Sequence, residues 1–138
     1  MGVKFLKRGF FQRLFGIPAT QPPSDPGCWE FSHPTIVVHL DRAPELSVRG
    51  RAVRLEGKGL PERVLLVHGE DGRYHAFQNR CRHMGRRLDP VADTETVQCC
   101  SVGKSTYGYD GRVLHGPASS PLKVLPVKQE GGRVEVTL

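Results

Sequence analysis

A secretory leader, a Cys-x-x-Cys knuckle and a long helical period are all missing from this chain of 138 residues, and only 7% of it is aromatic. Each absence removes a class. Without a leader, the four cysteines are expected as thiols or metal-bound thiolates in a reducing compartment, so the chain reads as cytoplasmic. Without a Cys-x-x-Cys pair, the spacing for a structural zinc knuckle is weak. Without a 3.6-residue apolar period beyond residue 35, that region is not a helical bundle. No aromatic-basic pattern points to nucleic acid. The net charge of +6 then points to acidic partners or an anionic surface, unless it serves only solubility.

Glycine and proline are plentiful, with 16 and 11 residues spread through the chain, which suits many short strands joined by turns. The length allows one domain with a modest core. Alternating or short apolar runs predict strands at 35–40, 51–56, 63–68 and 74–78. Further runs lie at 96–100, 106–109, 112–114, 122–128 and 133–138. Asp71-Gly72, Asp110-Gly111 and Gly131-Gly132 are the turn signals between them.

Ahead of the strands stand two other segments. Residues 1–16 mix Val3, Phe5, Leu6, Phe10, Phe11, Leu14 and Phe15 with Lys4, Lys7, Arg8 and Arg13. This reads as a short basic amphipathic helix, too short and too charged to span a bilayer. Such a stripe can lie on an anionic membrane surface, dock in a groove of a partner, or pack on its own domain. Leu6 stands where a myristoylation motif on Gly2 needs Ser or Thr, so lipidation is not expected. Residues 17–34 begin Pro-rich and polar and read as an extended linker, and 35–138 form the folded domain. Cys28, beside Trp29, is expected to be buried or partner-facing rather than a ligand. His33, His39, His68 and His75 are scattered over strands and turns as surface or hydrogen-bonded residues.

The chemistry concentrates in two short stretches. Cys81-Arg82-His83-Met84-Gly85-Arg86-Arg87-Leu88 is followed by Cys99-Cys100-Ser101-Val102-Gly103-Lys104-Ser105-Thr106-Tyr107, then by Asp110-Gly111 and by Gly116-Pro117-Ala118 running into Pro121-Leu122. Over residues 35–138 this pattern resembles Rieske [2Fe-2S] proteins, whose loops have the form Cys-x-His and Cys-x-x-His. The first loop is intact. In the second, Gly103 stands in the place of the histidine, Lys104 in that of the following glycine, and Ser105 where tryptophan or serine is usual. Tyr107 keeps the aromatic position.

The resemblance implies a small antiparallel β-barrel or sandwich with an inserted cluster-binding subdomain. It also implies a [2Fe-2S] cluster held by Cys81, Cys100 and His83, with Cys99 as the candidate fourth ligand. Gly85, Gly103 and Tyr107 would line the site. Mixed thiolate and imidazole ligation raises the reduction potential to roughly −150 to +300 mV. Adjacent strand residues face opposite ways, so Cys99 and Cys100 can both ligate only across a kink or bulge. Zinc on the same thiols and His83 is a rival. A Cys81–Cys100 disulfide is another. His115 is a remote donor. Gly103-Lys104-Ser105-Thr106 is not a phosphate loop, because Gln98 stands where its first glycine should be and no helix is expected after it.

Two classes of function fit this pattern. One is a one-electron carrier that exchanges electrons with a partner oxidoreductase or larger complex, peripheral to a membrane if residues 1–16 lie on lipid. The other is a clusterless Rieske fold serving as an assembly subunit. A stand-alone oxygenase is not expected, since no residues here would build a mononuclear iron domain.

Overall fold

The computed structural model describes residues 3–138; Met1 and Gly2, with the lipidation question, lie outside the described residues. One α-helix, α1 (Phe10–Leu14), precedes twelve strands: β1 (Trp29–Ser32), β2 (Thr35–His39), β3 (Ala52–Leu55), β4 (Val64–His68), β5 (Tyr74–Gln78), β6 (Leu88–Val91), β7 (Thr96–Cys99), β8 (Thr106–Gly108), β9 (Val113–His115), β10 (Val124–Leu125), β11 (Val127–Glu130) and β12 (Arg133–Thr137). Among the described residues no helix is long and apolar enough to cross a membrane. The architecture is antiparallel β, as expected.

Three four-stranded sheets form, in the orders β1-β2-β12-β11, β10-β5-β4-β3 and β6-β7-β8-β9. The middle sheet is covered on both faces, and that explains the composition of β4. Val64, Leu65, Leu66 and Val67 are all fully buried, so the strand is a continuous apolar run rather than an alternating one. Val64 and Leu66 pack into a first core with Ile36, Val38, Val53 and Val136. Leu65 and Val67 face the other way, into a second core with Phe77, Leu88, Val97 and Tyr107. The cysteine loops are built over this second core.

Two strands escaped the sequence reading, and each has a physical reason. Strand β6 contains Pro90, which demotes a run in a sequence reading; here it occupies a sheet edge, where a missing N–H costs no ladder bond. Strand β1 falls inside the segment read as linker, yet it pairs with β2 through Trp29↔Val38 and Phe31↔Ile36. The run expected as one strand over 122–128 is divided at Pro126 into β10 and β11, which join different sheets.

The amino-terminal helix is shorter than expected and packs with reversed polarity. Helical geometry is confined to Phe10–Leu14, because Gly16 takes a left-handed φ of 64° and Pro18 follows. Arg13 is the side chain that turns inward, 5% exposed, whereas Phe10, Phe11 and Phe15 are 67%, 69% and 67% exposed. Upstream, the Leu6 amide donates to Gln98 Oε1 at 3.1 Å. Downstream, the amides of Ala19 and Thr20 donate to the two carboxylate oxygens of Asp89 at 2.9 and 2.8 Å. The segment thus lies along the third sheet.

Candidate metal centre

The first cysteine loop leaves β5 and closes on itself within a few residues. Cys81 N donates to the Arg86 carbonyl at 2.8 Å, and Gly85 N returns to the Cys81 carbonyl at 2.9 Å. Two side chains brace it from outside. Arg63 donates to the carbonyls of Asn79 and Gly85 at 3.0 and 2.6 Å, and Asn79 Oδ1 accepts from Leu88 N at 2.7 Å. At the loop tip His83 and Met84 are exposed. The cysteine at its base is not, since Cys81 is 2% exposed.

The second loop follows β7. Cys99 N donates to the Ser105 carbonyl at 2.7 Å, Cys100 N to the Arg87 carbonyl at 3.0 Å, and Lys104 N to the Ser101 carbonyl at 3.2 Å. Gly103 lies under the Pro117 ring; a Cβ built there would stand 3.1 Å from Pro117 Cγ. Gly116 is required next to it. Its φ is 96°, and a Cβ would meet Ser105 Cα at 2.5 Å, so no other residue lets the two backbones approach this closely.

Two thiols come together where the loops meet, those of Cys81 and Cys99. Both lie in the second core, and Cys99 is 1% exposed. Cys100 is outside that core. The charges that act on it are those of Asp89 and Arg86. The adjacent thiols therefore have different surroundings, as their places on a strand require. The hydrogen bond with Cys99 and burial push the Cys81 thiol up to about 12. Bonding between Cys99 and Cys100 raises the former and lowers the latter.

Tyr107 closes the site from β8. Its hydroxyl oxygen accepts from Arg82 N at 2.9 Å and lies 3.5 Å from Cys81 Sγ. Since the oxygen already accepts one N–H, its own hydrogen is left for the sulfur. Cys81 Sγ also accepts from His83 N at 3.5 Å, and Cys99 Sγ lies 3.1 Å from Ser101 Oγ. Burial, together with the bond to Cys81, raises the Tyr107 phenol. All four cysteines are free thiols, so neither Cys81 nor Cys100 is in a disulfide.

Among the described residues no three His, Cys, Asp or Glu side chains gather around one point as a ready-made site for a single ion. Other candidates lie elsewhere. Cys28 is in the first core, His115 meets Phe5 edge to face with ring centroids 4.9 Å apart, and 103–106 lead into β8 rather than a helix. His68 meets the Leu46 carbonyl at 2.8 Å and His75 meets Asp71 at 2.9 Å.

Arg13 is the site neighbour that sequence reasoning missed. Its guanidinium donates to the carbonyls of Cys99 and Ser101 at 3.3 and 3.2 Å, to Gln98 Oε1 at 3.1 Å and to the Leu6 carbonyl. In sequence it is one more cation on a polar stripe. Only packing distinguishes it from Lys7.

Comparison with known proteins agrees with this fold. A family model described as Rieske [2Fe-2S] domain matches residues 37–126. The glycine betaine monooxygenase oxygenase subunit of Pseudomonas aeruginosa is 31% identical over 104 residues, 68% of this chain but 24% of the relative. This chain thus spans about a quarter of the length of that relative. The 3-phenylpropionate/cinnamic acid dioxygenase ferredoxin subunit of Escherichia coli is 29% identical over 91 residues, covering 64% of this chain and 82% of the relative. The ferredoxin of carbazole 1,9a-dioxygenase from Nocardioides aromaticivorans superposes with a TM-score of 0.60 at 20% identity, over 77% of this chain and 98% of that one, a likeness of fold.

Proposed function

The chain belongs to the Rieske [2Fe-2S] domain family, and from that premise we propose that it is a one-electron carrier or redox subunit rather than a stand-alone catalyst. The observation that carries the proposal is the meeting of Cys81 and Cys99, from two separate loops, beneath the Tyr107 hydroxyl. A binuclear core asks for two protein donors on each metal, so one close thiol pair supplies half of the set without any three-donor cluster. The donor chemistry fits as well. Three thiols and an imidazole are four donors of the softness that iron-sulfur centres take. Cys81, Cys99, Cys100 and His83 would hold the group, which when bound supplies a single reversible electron.

The rest of the chain's work is done by its own atoms. The second core keeps water from the sulfurs, Tyr107 and the His83 amide place hydrogens toward Cys81 Sγ, and Ser101 does so for Cys99. Gly85 gives the first loop its return. His83 stands at the exposed tip, where a redox partner would make contact. Gly103 takes the family's second imidazole position, counted from Cys100, so the ligation is atypical, and by this reading Cys99 supplies the missing donor. By this reading function is divided among 1–16, 17–34 and 35–138, with the redox chemistry in the last part. The pressure of Pro117 on Gly103 favours a second reading, a clusterless scaffold in a larger complex.

One measurement separates them. Protein purified without oxygen is assayed for iron, acid-labile sulfide and zinc, alongside Cys81→Ser, Cys99→Ser, Cys100→Ser and Gly103→His. Near-stoichiometric iron and sulfide, lost in each serine variant and retained or strengthened in Gly103→His, is the expected result. Metal-free wild-type protein would leave the scaffold reading, and zinc without sulfide would replace both.

A further inference from the structure

We propose that the amino-terminal segment 3–17 is an interfacial anchor that seats the protein on an anionic lipid bilayer through the phenyl face of α1. The inference concerns this segment alone and does not depend on what the cysteines bind.

The argument begins with polarity. A helix packed on its own domain buries its apolar side, but α1 does the reverse. Positions 10, 11, 14 and 15 share one side of the turn and Arg13 the other. The three phenyl rings form one cluster, with centroids 5.5 Å apart for Phe10 and Phe11 and 6.5 Å for Phe11 and Phe15. Leu14 and Ile17 extend it, 43% and 49% exposed. Contiguous aromatic exposure of this kind marks a contact surface.

This orientation is held by polar bonds. Arg13 is locked into the second cysteine loop and Gln98, and Arg86 Nη1 donates to the Leu14 carbonyl at 3.0 Å from the other side. Turning the rings inward would carry Arg13 out to water and leave the buried carbonyls of Cys99 and Ser101 and Gln98 Oε1 without their donor.

Charge selects the occupant. From Val3 to Ser24 the chain has no carboxylate; Arg13 is buried and Lys4 pairs with Asp93 at 3.7 Å, which leaves Lys7 and Arg8 as the cations that flank the rings. A second copy of the chain would bring two such segments together and repel. A shape-specific protein partner would need a groove or pocket complement, whereas the phenyls stand out on a single short turn. An anionic bilayer meets both demands, since its interface accepts phenyl rings without a fixed shape and its headgroups attract the flanking cations.

The test is partition of the full chain onto vesicles of phosphatidylcholine alone and of phosphatidylcholine mixed with phosphatidylglycerol. Binding to the mixed vesicles that weakens with added salt is expected, with Phe11→Ser weakening it about tenfold and Lys7→Glu at least about fivefold. The triple variant Phe10→Ser/Phe11→Ser/Phe15→Ser should lose binding while keeping the wild-type melting transition, because these rings are exposed. If that variant fails to fold, the two single substitutions decide. Absence of partition onto mixed vesicles, or unchanged partition in the phenyl variants, overturns the proposal. Self-association without lipid binding, lost in the triple variant, overturns it too and assigns the rings to a second copy.

Discussion

At the scale of single residues, the site is organised by groups that do not themselves ligate. Tyr107 lies in the second core and uses one oxygen twice, accepting from Arg82 N and placing its hydrogen toward Cys81 Sγ. Tyr107→Phe removes both bonds while keeping the ring. The expected loss is about 1–2 kcal/mol of unfolding free energy, the usual worth of one bond plus an orphaned donor, read from urea denaturation. In iron-loaded protein the same variant should have a lower reduction potential, because hydrogen bonds to the sulfurs favour the reduced form. An unchanged midpoint in both titrations would remove Tyr107 from the account. Arg13 acts similarly on backbone. Its four acceptors hold the second loop from a segment outside the stretch matched by the family model.

Individual elements are joined to the site through Glu56, which takes part in two ion pairs. It follows β3 and receives Arg87 through two bonds of 2.7 Å and Arg54 through one of 3.0 Å. Arg87 precedes β6 and lends its carbonyl to Cys100 N, so this pair ties the middle sheet to both cysteine loops. The Arg87 hydrogen bonds, ahead of those from Arg54, hold the Glu56 carboxyl at about 2 against its ordinary 4.5. A depressed carboxylate stabilises the fold above its unfolded value and ceases to do so as pH falls through its folded value. The contribution, about 3 kcal/mol at most given that the carboxylate is one-quarter exposed, is therefore present at neutral pH and lost between about 4.5 and 2. Glu56→Gln should flatten stability over that window. Parallel pH profiles of wild type and variant would rule out the assignment.

Across the whole molecule, two cores share one sheet, and β4 divides its residues between them. Leu66 belongs to the first core and Leu65 to the second, although both are fully buried. Truncating either to alanine should cost about 2–5 kcal/mol. Only Leu65→Ala should also reduce iron and sulfide retention, because its cavity opens into the core that contains Cys81 and Cys99. Equal retention in the two variants, measured on matched preparations, would mean that the cores are not separable in function.

Much of this molecule was readable from its residues because the governing forces are local. Alternating apolar runs and glycine turns placed most strands, and the cysteine pattern marked both loops. What remained needed tertiary packing. Pro90 and the Trp29–Ser32 strand became legible only once an edge position and a partner strand existed for them. Which thiol meets Cys81 was decided by the facing of β7, and it is Cys99 that shares its core, whereas the motif alone ranks Cys100 first. Arg13 was a surface cation by sequence and became a buried clamp because carbonyls from distant segments converge on it. Periodicity tells which side of a helix is apolar; it cannot tell which side the rest of the fold will satisfy with hydrogen bonds.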